Sequence, residues 1–328
     1  MKNLTKTVLL LMVTALLLST SLSAIVKVGE TVNSAFETPH PYKGGAGMVY
    51  EKEFYWPEAG YIAIHFTDFN LAEGDYVLVT DAHGHVFHTY DSRGKVVQED
   101  MVGLKDFWAS HIPGDKAIVR LYSNNPDGGH GFVIDQWVHG FERGRINALL
   151  TDMEDQLDGS LDTEAICSND DKEWAKCYSG QIYAKSKAVA RLLINGSGAC
   201  TGFLIGHEGH LMTNNHCIGS QTTANNTDYE FMAEGSSCST NCSGWMACGG
   251  TVTNTSGTLV KTDYNLDYAL IKLPVNSSPS YGWLQFRDHL PTIGERIYIP
   301  QHPGAKGKQI SVYSDMDNGY SKIHSTNR

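Results

Sequence analysis

The sequence predicts an all-β protein in two parts, and three observations carry that prediction. Short runs rich in β-branched and aromatic residues recur between clusters of Gly, Asp, Asn and Pro, which is the punctuation of strands and turns. All seven cysteines lie in the second half, and none falls between residues 25 and 165. One stretch, 200–217 (CTGFLIGHEGHLMTNNHC), joins a β-hairpin pattern, a flanking pair of cysteines and a terminal histidine.

With 328 residues and 41% apolar content, the chain is long enough to bury at least two modest cores. Its formal charge of -11 lacks the Lys/Arg excess that a polyanion requires, so nucleic acid is excluded and proteins or sugars remain as partners. Residues 1–24 read as a signal peptide. Lys2 and Lys6 precede an apolar core at 8–18, too short to span a bilayer comfortably, and Ser21, Ser23 and Ala24 offer a small-residue exit. The expectation is a secreted monomer, free of the membrane after cleavage and in a compartment where cysteines form disulfides. Five Asn-x-Ser/Thr sequons, at Asn195, Asn225, Asn241, Asn254 and Asn276, fit a glycosylated surface.

The first part, 25–141, reads as a β-sandwich. Its strand candidates are 61–66 (YIAIHF), 75–80 (DYVLVT), 86–90 (VFHTY), 116–122 (KAIVRLY) and 131–137 (GFVIDQW). The order of features, from a Tyr-Trp entry through HFTDFNLAEGDYVLV and TYDSRG to FWASHIPGD and VRLYSN, resembles the CUB-like jelly-roll modules found beside secreted peptidases, although this copy has no cysteines. His83, His85 and His88 are better read as solvated turn histidines than as metal ligands, because strand alternation would point them unevenly. Asp68, Asp75 and Asp81 are likewise read as solvated loop carboxylates rather than calcium ligands. No metal and no cofactor is expected.

Residues 142–166 change character and read as a linker or propeptide junction. Arg143 and Arg145 precede a short helical pattern and a polar run, so this is either a permanent spacer or the place of zymogen cleavage.

In the second part, 167–328, the strand 188–194 (AVARLLI) and the tight turn 195–198 (NGSG) lead straight into the hairpin. Its returning strand is expected to deliver His216 at its end as a general base, with Cys200 and Cys217 placed to tie the outer ends of the hairpin. ACTGFLIGHEGHLMTNNHC resembles the histidine loop of chymotrypsin-like (trypsin-like) serine proteases. DYNLDYALIKL (263–273) resembles the aspartate motif of the same family, with Asp267 just before an apolar strand. That resemblance implies a buried Asp267 carboxylate accepting the His216 N–H, fixing its tautomer and stabilising the imidazolium. Asp263 is the competitor, expected to be more exposed.

ICSNDDKEWAKC, together with YGWLQFRDHLPTIGERIYIPQHPGAKGKQIS and its His302-Pro303 pair, resembles the lysyl endopeptidase group. The group implies disulfides Cys177–Cys238 and Cys242–Cys248 beside Cys200–Cys217, leaving Cys167 unpaired within the chain, and cleavage of peptides after Lys or Arg. Asn214 and Asn215 stand where the family usually has small residues, so packing behind the imidazole is expected to differ.

The family's nucleophile lies in a Gly-rich serine motif whose N–H groups also form the oxyanion hole, and no such motif occurs among these residues. The expectation is a secreted serine endopeptidase whose nucleophilic serine and second barrel lie mostly beyond Arg328. The alternative is an inactive protease homologue that binds through its CUB-like part. A zinc reading of His207-Glu-Gly-His210 fails because the histidines are three apart with glycine between them. Cys217 as nucleophile is disfavoured by the expected disulfide.

Overall fold

The computed structural model describes residues 25–97, 103–142 and 170–326. The expected signal peptide, nearly all of the expected linker and Cys167 lie outside these residues.

The first part is an antiparallel sandwich. A short leading strand β1 (Val26–Lys27) is followed by β2 (Gly29–Glu37), β3 (Gly47–Tyr55), β4 (Tyr61–Asn70), β5 (Tyr76–Thr80), β6 (Phe87–Asp91), β7 (Phe107–Trp108), β8 (Ile112–Pro113), β9 (Lys116–Ser123) and β10 (Gly131–Gly140). One sheet runs β2-β10-β4-β7 with β8 also on β4, and the other runs β3-β9-β5-β6. Alternation sends Ile62, Ile64 and Phe66 of β4 and Val77 and Val79 of β5 into one core with Phe132 and Ile134 of β10. All five expected strands are present. Strands β2 and β3 are additions to them; most of their residues face water or are only half-buried, which leaves little apolar pattern in the sequence.

Asp75 is not a solvated loop carboxylate. It is buried and accepts hydrogen bonds from Tyr42 Oη at 2.5 Å, Ser123 Oγ at 2.9 Å and the backbone N–H of Asn124 at 2.7 Å, so its lone pairs are occupied. Asp68 pairs with His130, and Asp81 accepts the His85 N–H in a turn.

After β11 (Lys172–Trp174), the second part is built on β12 (Val189–Ile194), β13 (Gly198–Ile205), β14 (His210–Thr213), β15 (Thr227–Phe231), β16 (Thr251–Asn254), β17 (Thr258–Asp263) and β18 (Tyr268–Lys272). They form one curled sheet in the order β16-β15-β12-β13-β14-β18-β17, a half-barrel, and β1 joins it by pairing with the start of β13. Farther on, β19 (Ile299–Gln301) and β20 (Gln309–Ser311) form a small sheet with β11. Trp283, Phe286, Leu290 and Ile293, in the segment between, are exposed.

Strands β12 and β15 are buried on both faces. Ala190, Leu192, Ile194, Tyr229 and Phe231 fill the half-barrel core. The opposite face carries Arg191, Leu193, Asp228 and Glu230; the sandwich packs on Leu193 and Asp228, whereas the Arg191 guanidinium donates to the Met246, Ala247 and Ala305 carbonyls of the second part itself. A shared apolar cluster sets Tyr61, Trp108 and Val138 of the sandwich against Leu193, Ala199 and Met246. The turn after β12 shows why it is glycine-rich: Asn195 and Gly196 both have positive φ (48° and 73°), and the Trp108 ring lies where a side chain on Gly196 would go.

Polar groups complete this junction. Asp228 accepts from His111 Nδ1 at 2.7 Å, from the His111 backbone N–H at 3.0 Å and from Ser110 Oγ at 3.0 Å. Asn226 Oδ1 accepts the Trp108 N–H, and Tyr61 donates to the Gly196 carbonyl at 2.9 Å. Behind Asp228, the buried pair Arg191–Glu230 closes at 2.8 Å between directly opposed residues of β12 and β15. The two parts are thus packed through a common buried layer.

Candidate active site

The hairpin β13–β14 ends at its open side with Thr213, whose hydroxyl donates to the Thr201 carbonyl at 2.8 Å. Strand β14 stops there. The chain then makes a tight turn in which the N–H groups of Cys217 and Ile218 both donate to the Asn214 carbonyl. His216 therefore stands on a turn three residues past the strand, not on the strand end itself. Cys217 and Ile218 are buried on the core side of this turn, and Cys217 is bonded to Cys200 with a Cα separation of 6.3 Å. The pair anchors the turn at its base while the imidazole projects outward.

Asp267 arrives from the neighbouring strand. Strand β18 pairs with β14 up to Thr213↔Ala269, and Asp267 lies two residues before Ala269 with a left-handed backbone (φ 49°). The structure brings it to His216: Nδ1 is 2.7 Å from Oδ2, and the His216 backbone N–H donates to Oδ1 at 3.0 Å. The Asn214 amide donates to Oδ2 at 3.0 Å and to the Asp267 carbonyl at 3.1 Å. Partial burial by itself would raise the Asp267 carboxyl, but hydrogen bonds from the His216 backbone, its imidazole and Asn214 hold it below its ordinary value. Its side chain is 41% exposed, more open than the buried carboxylate that the family resemblance implies. Tyr264 and Leu266, just ahead of it, also face outward. Asp263 accepts the Leu266 N–H instead, and the carboxylate in contact with His216 is that of Asp267.

The arrangement suits proton transfer. With Nδ1 committed to Asp267, Nε2 is the ring nitrogen left to take a proton. Among the described residues no serine hydroxyl is hydrogen-bonded to Nε2. Cys200, His216 and Cys217 cluster closely, but both sulfurs are in the disulfide and are not free to ligate a metal.

The structure also joins Cys177 to Cys238 and Cys242 to Cys248. The His302 backbone N–H donates to Thr201 Oγ1 at 3.0 Å, so the His-Pro segment braces the hairpin from behind. Lys308, in the basic run after it, is fully buried 3.6 Å from Glu234, and burial pushes its amine down to about 8. Of the sequons, Asn254 is buried, with its amide donating to Val275 and Ser277 and its Oδ1 accepting the Val275 N–H. The folded chain does not present that asparagine for glycosylation. Sequence reasoning missed Asn214 as a partner of Asp267; the unusual Asn-Asn before the histidine was the available signal.

Over 280 residues the chain is 39% identical to a protein named secreted RxLR effector protein 73 from Plasmopara viticola, an alignment that covers 81% of this chain. The chain spans 65% of that relative's length. Residues 200–327, which hold His216, Asp267 and the disulfides Cys200–Cys217 and Cys242–Cys248, match the family model of the trypsin-like peptidase domain.

Proposed function

We propose that the protein is a secreted serine endopeptidase in which His216 is the general base and Asp267 its orienting carboxylate, with the attacking serine contributed by polypeptide outside these 328 residues. The contact between His216 Nδ1 and Asp267 Oδ2 at 2.7 Å, on a half-barrel that matches the peptidase family, is the observation that supports it most. In the reaction Nε2 takes the proton of the serine hydroxyl as the oxygen attacks the peptide carbonyl, and later returns it to the leaving amine. Asp267 stays ionised throughout. The substrate is protein or peptide, cut after Lys or Arg by resemblance to the lysyl endopeptidase group. The basic, apolar start of the chain and the secreted relative support export.

A second reading is an inactive homologue that binds partners through its CUB-like sandwich. A serine-directed fluorophosphonate probe applied to the native secreted product separates the two. Labelling that disappears in His216→Ala is the expected result. Absence of labelling in a product with intact, folded half-barrel would overturn the endopeptidase reading.

A further inference from the structure

We infer that Asn214 is a positioning residue, the clamp that holds the Asp267 carboxylate in register with the His216 ring. The inference rests on the reading of His216 and Asp267 as the general-base pair and adds a third member to it.

The geometry is specific. Asn214 is the first residue after the β14–β18 ladder ends at Thr213↔Ala269. Its single side-chain amide group reaches both the carbonyl (3.1 Å) and the Oδ2 (3.0 Å) of Asp267. One rigid, planar donor therefore fixes the backbone and the side chain of the same residue together. Its left-handed backbone (φ 49°), which aspartate adopts more readily than most non-glycine residues, aims the carboxylate at the turn, and the Asn214 amide bonds both ends of that residue. At 41% exposure, water competes for its oxygens, so orientation has to come from hydrogen bonds rather than from a closed pocket.

The donors to this carboxylate come from one turn: Asn214 and the imidazole on Oδ2, the His216 backbone on Oδ1. The pair is consequently assembled by the half-barrel alone. Asn215 serves as the internal control, because its amide donates away from the pair to Thr262 Oγ1 at 2.7 Å.

The test is NMR on the chain as it stands, following the His216 Nδ1–H resonance and the titration of the Asp267 carboxyl. In Asn214→Ala, the Nδ1–H signal is expected to broaden through faster exchange with water, and the carboxyl to titrate at higher pH than in the parent. Asn215→Ala should leave both unchanged. A folded Asn214→Ala with parental Nδ1–H exchange and Asp267 titration would overturn the inference. Should Asn214→Ala fail to fold, Asn214→Leu keeps a similar volume without the donor and adds no charge: broadening and a raised carboxyl titration support the clamp, and parental signals overturn it. In the active secreted form, Asn214→Ala is expected to lower kcat about 10- to 100-fold with KM within about twofold, the loss of one charge-assisted hydrogen bond. The NMR result stands or falls without any nucleophile, so a failed serine probe beside the expected NMR changes would reject the endopeptidase reading and leave the clamp in place.

Discussion

His111 and His216 each set Nδ1 2.7 Å from an aspartate oxygen, of Asp228 and Asp267 respectively, and each aspartate also accepts its histidine's backbone N–H. Their surroundings diverge. His111 and Asp228 are 6% and 7% exposed, sealed between the sandwich and the half-barrel, whereas His216 and Asp267 are 35% and 41% exposed at the rim of the sheet. In the buried pair the ionic contact fixes one part of the molecule against the other. In the open pair the same contact orients a ring that is partly exposed to solvent. A His-Asp contact alone therefore does not mark an active site; the proposed catalytic pair differs from the structural one by its exposure.

The largest test of this contrast is chemical. His216→Ala is expected to lower kcat of the active secreted form on the order of 10⁶-fold, and Asp267→Asn on the order of 10⁴-fold, with thermal unfolding little changed in either. His111→Ala should do the reverse, retaining turnover per folded molecule while unfolding earlier. Next in size, Asp228→Ala leaves charges buried without their partner and should cost about 3–5 kcal/mol in a urea titration, whereas Asp267→Ala at the open rim should cost below about 1 kcal/mol. A large loss for Asp267→Ala would erase the distinction.

Replacing Cys200 and Cys217 together by serine should cost about 3 kcal/mol, for a loop of 17 residues, and should loosen the turn of His216 without touching His111. Hydrogen exchange at Cys217 and Ile218, compared with Ala109, would show whether the loss stays local.

The smallest effect is a pH dependence. Burial opposes the charge on His111, but the Asp228 hydrogen bond and the nearby Asp228 and Glu230 charges overcome it and raise the imidazole above 6.5. The folded state thus binds this proton more tightly than the unfolded chain. The stability it contributes is complete below pH 6.5 and is lost as pH rises through the raised value. Asp228 is shifted down despite burial, so its share is present above 3.8 and is lost on acidification through its lowered value. Two neighbours act with the opposite sign: burial lowers His88, and it brings Lys95, which donates to the Trp108 carbonyl, down to about 8. The His111 share is therefore read as a difference, the parent losing its advantage over His111→Gln as pH rises from 6.5 through the raised value. An advantage that grows with pH would contradict the assignment.

Much of the half-barrel was legible because periodicity and turn chemistry agreed: the hairpin of Cys200 to Cys217 and the strand after Asp267 are apolar runs bounded by glycine or polar turns. The junction was illegible for a physical reason. In 227–231 (TDYEF), Asp228 and Glu230 alternate with core residues, the signature of a strand with one wet face, yet the sandwich closes over Asp228 while Arg191 and the Gly250 N–H of the second part close over Glu230. Asp228 meets a histidine 117 residues earlier, a separation that local patterning does not encode. Arg191 is hidden by distant carbonyls of its own part, those of Met246, Ala247 and Ala305, which its guanidinium reaches from a strand whose outer side has the polarity of surface. The Asn214 contact sits between these extremes, since the residue was conspicuous but its partner depended on the left-handed turn at Asp267.

Strand β1 carries a consequence for how the molecule is made. Val26 and Lys27 pair with Ala199 and Gly198, and the Val28 N–H donates to the Ser197 carbonyl. During synthesis this segment emerges long before its partners exist. The sandwich can complete its own sheets before the hairpin exists, so this register, which joins the beginning of the described chain to its middle, waits for the hairpin. Loop closure over that distance is slow relative to local hairpins. Mutations at Gly198 or Ala199 should consequently slow maturation more than their small size would suggest.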